Sequence, residues 1–410
     1  MRLGRMTPAD VTQIAAWLIE AGLDGRSETD ILNGFCERMV AAGVPLVRGL
    51  VGIDTLHPIH EGRIFRWQPS RSDVDAVREY GRSNQDSESE ELWRRSPFFR
   101  LIETGGSVLR RNFARGDPAD FVVMEELRAE GMTDYIAMIL RFAKEGTIGQ
   151  MDSVYSSWTS NARAGFTDGQ AQALEALVPS LAIAIKCASL ERIAETLVET
   201  YLGRDAGRRV LSGRIERGVA DRIGAVLWFS DLRGYTRITD TAQPEQVIPL
   251  LNDYAEAVIS AVQEAGGDVL KLIGDGTLAL FKAEEPQRAC RCALDAERLV
   301  RERVAELNQR RAAAGLPVTQ PYLGLHIGEV FYGNIGSSDR LDFTVIGPAV
   351  NETSRIAAMC RSVERDVLIS SAFAAAARPE DRAKLVSVGR YALRGVARPE
   401  ELFTLDPTAQ

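Results

Sequence analysis

The feature that most constrains the fold of this 410-residue chain is the order of hydrophobic patterns in its second half. An apolar strand-like run at 223–230 precedes a helical pattern at 244–265. A Gly-Asp-Gly turn then joins two strand-like runs, 269–273 and 277–281, and a helical pattern follows at 286–314. This βαββα order predicts the start of a ferredoxin-like sheet, in which the first strand pairs antiparallel with the third.

Two aspartates occupy special positions in that sheet. Asp231 ends the first strand, and Asp275 lies in the turn of the hairpin. Because the first and third strands are antiparallel, the end of the first lies beside the turn that begins the third. Taken singly, the Ser-Asp pair fits a helix cap and Gly-Asp-Gly fits a plain hairpin turn. Mg²⁺ is usually bound by one or two carboxylates plus substrate phosphates, so the shared corner predicts a cation site.

The loop after Asp231 runs directly into a predicted helix. Backbone N–H groups at such a junction bind phosphate oxygens, and a glycine lets a ligand approach the backbone closely. We therefore predict that Gly234, Tyr235 and Thr236 contact a triphosphate group.

Three segments of the second half carry a family resemblance. FSDLRGYT, KLIGDG and FTVIGPAVNETSR resemble the signature blocks of the class III adenylyl and guanylyl cyclases, in that family's order and spacing. The resemblance implies that Asp231 and Asp275 hold two Mg²⁺ or Mn²⁺ ions, with the backbone carbonyl of Leu232 as a further ligand.

The same resemblance assigns roles to residues on the following helix. It implies that Asn351 orients the ribose and that Arg355 stabilises the transition state; the two are four residues apart, on one helix face. Arg394, in YALRGVARPE, falls where many members carry a lysine that binds the triphosphate. Arginine keeps the charge of that lysine but changes the geometry.

Two positions are expected to read the base. Lys271 matches the adenine-reading lysine of the family, and Thr344 stands where adenylyl cyclases commonly have aspartate. Lysine can donate to adenine N1, and a threonine hydroxyl can accept from the N6 amino group. Guanylyl cyclases carry Glu and Cys at these places. The resemblance therefore implies ATP as substrate and cyclic AMP and pyrophosphate as products, in a Lys/Thr subgroup that includes bicarbonate-responsive members.

The same residues allow two alternatives to an adenylate cyclase. Guanylate cyclase activity is disfavoured by Lys271. A catalytically silent nucleotide-binding regulator is expected to lack a metal acid or the Asn/Arg pair, and this chain retains all four. In the family, the metal acids come from one protomer, and the base-reading residues, the asparagine and the arginine come from the other. One chain carries both sets here, which implies a homodimer with composite active sites.

The first part of the chain predicts a separate α+β domain. Its patterns are, in order, a helix at 28–42, strands at 45–54, 62–67 and 107–113, a helix at 120–130, and strands at 134–142 and 147–158. This order and spacing resemble GAF-like small-molecule sensor domains. We predict a sensory domain over 1–168 that receives an unknown small-molecule or protein input.

A helical segment links this domain to the cyclase-like part. Leu174, Leu177, Leu181 and Ile185 form one apolar face. Two interpretations remain open: a terminal helix that packs on its own domain, or a parallel two-helix coil between protomers. We place the linker at 169–213 and the catalytic domain, with its ferredoxin-like α+β fold, at 214–410.

Composition and termini constrain the surroundings of the protein. The net charge of −8 and the absence of a basic face argue against a nucleic-acid partner. Five scattered cysteines without a CxxC pair are typical of a reducing cytoplasm. No secretory signal is visible, and the most lipid-like stretch, LVPSLAIAIKCASL, is short and contains a lysine. We therefore expect a cytoplasmic protein that does not contact a membrane.

Overall fold

The fold is known from a computed structural model, in which the chain divides into two compact units, Met1–Leu197 and Val198–Gln410. The division falls inside the predicted linker, 169–213. Both units mix helices with a largely antiparallel sheet, which confirms the α+β fold class. The residues that the structure describes are 6–69, 76–81, 88–142, 148–149, 151–394 and 398–406.

The N-terminal unit is built on a six-stranded antiparallel sheet in the order β3-β2-β1-β6-β5-β4. Its strands are β1 (Arg48–Asp54), β2 (His60–Trp67), β3 (Val77–Gly81), β4 (Val108–Asn112), β5 (Asp134–Arg141) and β6 (Ser153–Ser160). Its helices are α1 (Pro8–Leu23), α2 (Glu28–Ala41), α3 (Glu88–Arg94), α4 (Pro97–Thr104), α5 (Val122–Ala129) and α6 (Asp168–Leu202), the last of which continues beyond the unit.

Side chains of β6 alternate between two hydrophobic cores of this unit. Val154 and Trp158 belong to the core that includes α1, α2 and α6, whereas Tyr155 packs against the cluster formed with α4 and α5. The predicted strand at 147–158 is displaced: β6 is Ser153–Ser160, and residues 147 and 150 lie outside the described residues. The displacement arises because the strand ends in buried Ser and Thr residues, which hydrophobicity does not mark.

The apolar face of α6 packs within the N-terminal unit. Leu174, Leu177, Leu181 and Ile185 are all buried in its main core. For this stretch the structure therefore supports the first of the two interpretations, a terminal helix packed on its own domain. Tyr201, near the end of α6, is exposed.

Within the described residues, α6 is the one helix long and apolar enough to cross a membrane by length and composition. This differs from the expectation of no such segment, because the helix extends well beyond the short stretch considered in the sequence. Half of its most apolar window is buried in the structure, and the core helix of a globular domain meets the same criteria.

The C-terminal unit contains an eight-stranded sheet. Its strands are β7 (Ala220–Leu232), β8 (Asp268–Ile273), β9 (Gly276–Lys282), β10 (Pro321–Gly336), β11 (Leu341–Ile346), β12 (Val367–Ser370), β13 (Leu385–Tyr391) and β14 (Glu400–Leu405). Its helices are α7 (Arg204–Leu211), α8 (Tyr235–Thr241), α9 (Pro244–Glu264), α10 (Pro286–Ala313), α11 (Pro348–Val363), α12 (Ser371–Ala376) and α13 (Pro379–Arg382).

The order β10-β7-β9-β8 in this sheet, with α9 and α10 as crossovers, confirms the predicted ferredoxin-like arrangement. Strand β7 pairs antiparallel with β9, as the sequence predicted. The two crossover helices share a core with one face of the sheet. On strand β10, Gly324 permits close packing of α11, since a Cβ there would lie 2.6 Å from the Ala357 nitrogen.

Candidate active site

The structure brings Asp231 and Asp275 together at one corner of the C-terminal sheet. Ser230, the neighbour of Asp231 on β7, pairs with Thr277 of β9, and Asp275 occupies the turn just before β9. The backbone N–H of Leu232 donates a 3.0 Å hydrogen bond to Oδ2 of Asp275. The predicted juxtaposition of the two acids is therefore present.

The electrostatics of this corner fit a cation. Oδ1 of Asp231 is buried and accepts no hydrogen bond from any described residue. Burial, and then the neighbouring charge of Asp275, raise the pKa of Asp231. An ionised, unpartnered carboxylate beside a second carboxylate is costly unless a cation neutralises the pair, and carboxylate oxygens are the donors that Mg²⁺ prefers.

The corner opens into a cavity of about 160 Å³. Both aspartates line it, with apolar walls from α9 and from the tip of the β8–β9 hairpin, including Leu251, Ala255 and Leu272. No cluster of three or more His, Cys, Asp or Glu side chains suited to a metal occurs among the residues that the structure describes. A site with two protein carboxylates is the kind in which substrate phosphates complete the coordination of Mg²⁺.

The loop predicted to bind phosphate begins at the end of β7. Leu232 is buried, Gly234 and Thr236 are exposed, and Tyr235 is half-buried. Gly234 has φ 69°, in the left-handed region that favours glycine, and directly precedes the first residue of α8. The chain can therefore turn sharply after Asp231 while leaving the backbone at Gly234 open, since no atom lies within 4 Å of a Cβ built there.

The predicted base-reading residues lie on neighbouring elements. Lys271 is on β8, and its ammonium group forms an ion pair with Asp342 of β11. Asp342 and Thr344 are two residues apart on that strand, so their side chains share a face. Asp342 was not predicted from the sequence. The alternation of side chains along β11 is the pattern that places Asp342 on the same face as Thr344.

Asn351 and Arg355 lie one turn apart on α11, as predicted. Asn351 is exposed and Arg355 is half-buried. Neither side chain forms a hydrogen bond or an ion pair with another residue in the described ranges. Both side chains are thus available to a ligand or to a second chain.

The remaining predicted residue, Arg394, is exposed and precedes residues 395–397, which lie outside the described part. It makes no hydrogen bond or ion pair with any other described residue. Its predicted contact with the triphosphate stays a prediction.

Comparisons with known proteins agree with this geometry. Residues 220–406 match the adenylate and guanylate cyclase catalytic domain. The adenylate cyclase of Anabaena cylindrica is 36% identical over 160 residues, which are 38% of this chain and 31% of that protein. Adenylate cyclase 1 of Rhizobium meliloti (strain 1021) is 29% identical over 209 residues, 50% of this chain and 30% of that protein.

This chain spans about a third of the length of those two relatives. Among solved structures, a bacterial light-regulated adenylyl cyclase is 24% identical with a TM-score of 0.45, over 54% of this chain and 63% of that one. The family match covers the ferredoxin-like sheet, both aspartates, and the α11 pair of Asn351 and Arg355. Residues 220–406 of this chain therefore belong to the adenylate and guanylate cyclase catalytic domain family.

Proposed function

We propose that this chain is an adenylate cyclase that converts ATP into 3′,5′-cyclic AMP and pyrophosphate. The observation that carries the proposal is the buried, unpartnered Oδ1 of Asp231 beside Asp275, within a domain of the cyclase family. Two relatives that match this domain are named adenylate cyclases, which favours ATP over GTP.

In the proposed mechanism, Asp231, Asp275 and the Leu232 carbonyl would hold two Mg²⁺ or Mn²⁺ ions. Such ions, when bound, lower the pKa of a hydroxyl and neutralise phosphate charge. Backbone N–H groups of residues 234–236 would bind the triphosphate. The ribose 3′-oxygen attacks the α-phosphorus, pyrophosphate leaves, and the 3′-hydroxyl proton passes to solvent.

The residues on α11 and β8 would orient the nucleotide. Asn351 would bind the ribose, and Arg355 would donate to the phosphoryl oxygens as charge grows there. Lys271 would donate to adenine N1 while Thr344 accepts from N6. The ammonium of Lys271 has three N–H donors, so the ion pair with Asp342 leaves two for the base.

We further propose a homodimer in which each site takes its acids from one chain and its α11 residues from the other. The unpaired state of Asn351 and Arg355 in a single chain supports this arrangement. A cytoplasmic location is supported by the five cysteines, which all lie in the described ranges and form no disulfide.

The N-terminal unit is proposed to be a GAF-like sensor that controls the cyclase through α6. The break between the units, at Leu197–Val198, lies within this helix. Two residues inserted there rotate the following helix by about 200°, whereas seven add nearly two full turns. We expect basal cyclase activity to change several-fold with two residues and less with seven. Equal effects of both insertions would contradict control through the helix.

The test of the proposed activity is product formation by the full chain with ATP or GTP and Mg²⁺ or Mn²⁺. We expect cyclic AMP as the main product, and Asp275→Asn should lower its formation by more than about 100-fold. Glu306→Gln removes an exposed carboxylate from α10 and serves as the control with wild-type turnover. A preference for GTP, or an active Asp275→Asn protein, would overturn the proposal.

A further inference from the structure

The backbone that follows Asp231 is tied to the loop between α10 and β10. The N–H of Arg233 donates to the carbonyl of Gln320 at 2.8 Å. The carbonyl of Arg233 accepts a 2.6 Å hydrogen bond from Oγ1 of Thr319. Together with the bond from Leu232 N–H to Asp275, these contacts fix two consecutive residues at the start of the phosphate loop.

Thr319 is in turn held by two other elements. Its N–H donates to the hydroxyl of Tyr254 on α9 at 2.7 Å, and its carbonyl accepts from Nδ2 of Asn308 on α10 at 2.8 Å. The Tyr254 hydroxyl donates to Oδ1 of Asn308, which closes the network. Tyr254 is 1% exposed and Thr319 7%, so water cannot readily replace these bonds.

The polar network lies at the corner of the sheet that holds the two acids. Tyr254 also lines the cavity into which Asp231 and Asp275 open. Its ring is embedded in the α9–α10 core, so the network joins the rigid crossover helices to the loop at the two acids. The Thr319 hydroxyl is buried and donates to the Arg233 carbonyl, so a valine of the same shape would leave that carbonyl without this partner.

We propose that Thr319 is a positioning residue that, held by Tyr254 and Asn308, sets the backbone after Asp231 for binding divalent cation and triphosphate. The proposal rests on the proposed function, because it takes Asp231, Asp275 and residues 234–236 as the cation and phosphate site. Thr319 touches neither ligand in this account and acts through the carbonyl of Arg233. Base selection, which depends on Lys271 and Thr344, is left unaltered.

Two matched variants of the full chain separate the hydroxyl from the rest of the side chain. Thr319→Ser keeps the bond to Arg233, whereas Thr319→Val keeps the shape and removes the bond. We expect Thr319→Val to weaken Mn²⁺ binding in the presence of pyrophosphate by about three- to tenfold, with Thr319→Ser within about twofold of wild type. Binding is followed by electron paramagnetic resonance of free Mn²⁺, with melting temperature recorded for each protein.

Turnover gives the second readout. Thr319→Val should raise the Mg²⁺ concentration needed for half-maximal turnover. It should also raise the KM for ATP, while leaving the ratio of ATP to GTP use unchanged. If Thr319→Val does not fold, Tyr254→Phe tests the anchoring of Thr319 instead, since it removes the acceptor for the Thr319 N–H while leaving the bond to Arg233 in place. Its expected effect is in the same direction.

Equal Mn²⁺ binding by the valine, serine and wild-type proteins would overturn the inference, as would a wild-type protein that binds no Mn²⁺ with pyrophosphate. Failure of the proposed function is a different result: wild type would then bind Mn²⁺ and pyrophosphate but form no cyclic AMP. In that case the contrast between Val and Ser still decides the role of Thr319.

Discussion

Two carboxylates, Asp134 in the N-terminal unit and Asp231 in the C-terminal unit, lie in opposite environments. In the N-terminal unit, Asp134 is fully buried and fully partnered. It accepts hydrogen bonds from Nη2 of Arg110 at 2.8 Å, Nδ2 of Asn112 at 2.9 Å and the N–H of Phe166 at 3.0 Å. These bonds tie β4, β5 and the segment before α6 together, so the acid serves the fold.

In the C-terminal unit, Asp231 has a buried oxygen with no partner among the described residues and a like charge beside it. A fold gains nothing from that arrangement, because an unpaired buried carboxylate is destabilising. The difference teaches that burial alone does not mark a functional acid. The unsatisfied oxygen beside a like charge is what favours a ligand-binding role for Asp231, and the contrast predicts opposite responses to the same substitution.

The largest expected effect comes from neutralising each acid. Asp231→Asn should lower cyclic AMP formation by more than about 100-fold without loss of stability, since it removes a like-charge repulsion. Asp134→Asn should destabilise its unit by about 3–5 kcal/mol, because Arg110 loses its buried partner. Hydrogen exchange of β5 and β6 peptides in the full chain measures the second effect.

Asp168→Asn is the matched control for the stability arm. Asp168 also contacts Arg110, at 3.3 Å, but its side chain is 71% exposed, so its loss should cost less than about 1 kcal/mol. Equal destabilisation by Asp168→Asn and Asp134→Asn would contradict the stabilising role of Asp134. Unfolding by Asp231→Asn would contradict the view that Asp231 does not stabilise the fold.

A smaller effect is expected at the base-reading positions. Lys271→Glu places a carboxylate against adenine N1, acceptor to acceptor, and should lower kcat/KM for ATP by at least about tenfold. Adding Thr344→Cys should bring measurable GTP use. Unchanged kcat/KM for ATP in Lys271→Glu, with the melting temperature of wild type, would show that the lysine serves only its ion pair with Asp342.

The sequence predicted much more of the C-terminal unit than of the N-terminal one. Regular apolar periods and a Gly-Asp-Gly turn fix the βαββ order, and topology then brings Asp231 and Asp275 together. Asp342 could not be found this way, because its contact with Lys271 depends on how β11 lies relative to β8. Thr319 was missed for the same reason: its partners are distant in sequence.

In the N-terminal unit the patterns are weaker. Helix α1 was not predicted from the sequence, although Thr7 caps it and Ile14 and Leu18 fill its buried face. The sequence left open how α6 packs, because a leucine face on a helix packs equally well on a sheet or on another helix. No motif in the sequence of this unit identifies a ligand.

The last effect concerns pH and the N-terminal unit. Burial raises the pKa of Asp54, next to the Tyr80 hydroxyl, to about 6. This exceeds the pKa of an unfolded aspartate, near 3.9, so ionisation destabilises the folded unit, by up to about 3 kcal/mol above pH 6. The penalty fades as pH falls through 6 and is absent below about pH 4.

We therefore expect Asp54→Asn to raise the stability of the N-terminal unit at pH 7.5 and to raise it only about a third as much at pH 4.5, measured by hydrogen exchange of β1 and β2 peptides. Glu125→Gln, at an exposed position on α5, is the control and should change neither value. A gain that is independent of pH would mean that the charge of Asp54 is not the cause.

The most direct test of the central claim, that one chain carries two complementary halves of a cyclase site, is mixing two inactive variants. Asp275→Ala homodimers lack an acid in both sites, and Arg355→Ala homodimers lack the arginine in both. In a mixed dimer both lesions fall in one site and the other is wild type. Under conditions where chains exchange, about half the dimers are mixed, so cyclic AMP formation should recover to at most about a quarter of wild type. No recovery, with chain exchange demonstrated by labelled protomers, would contradict the composite site.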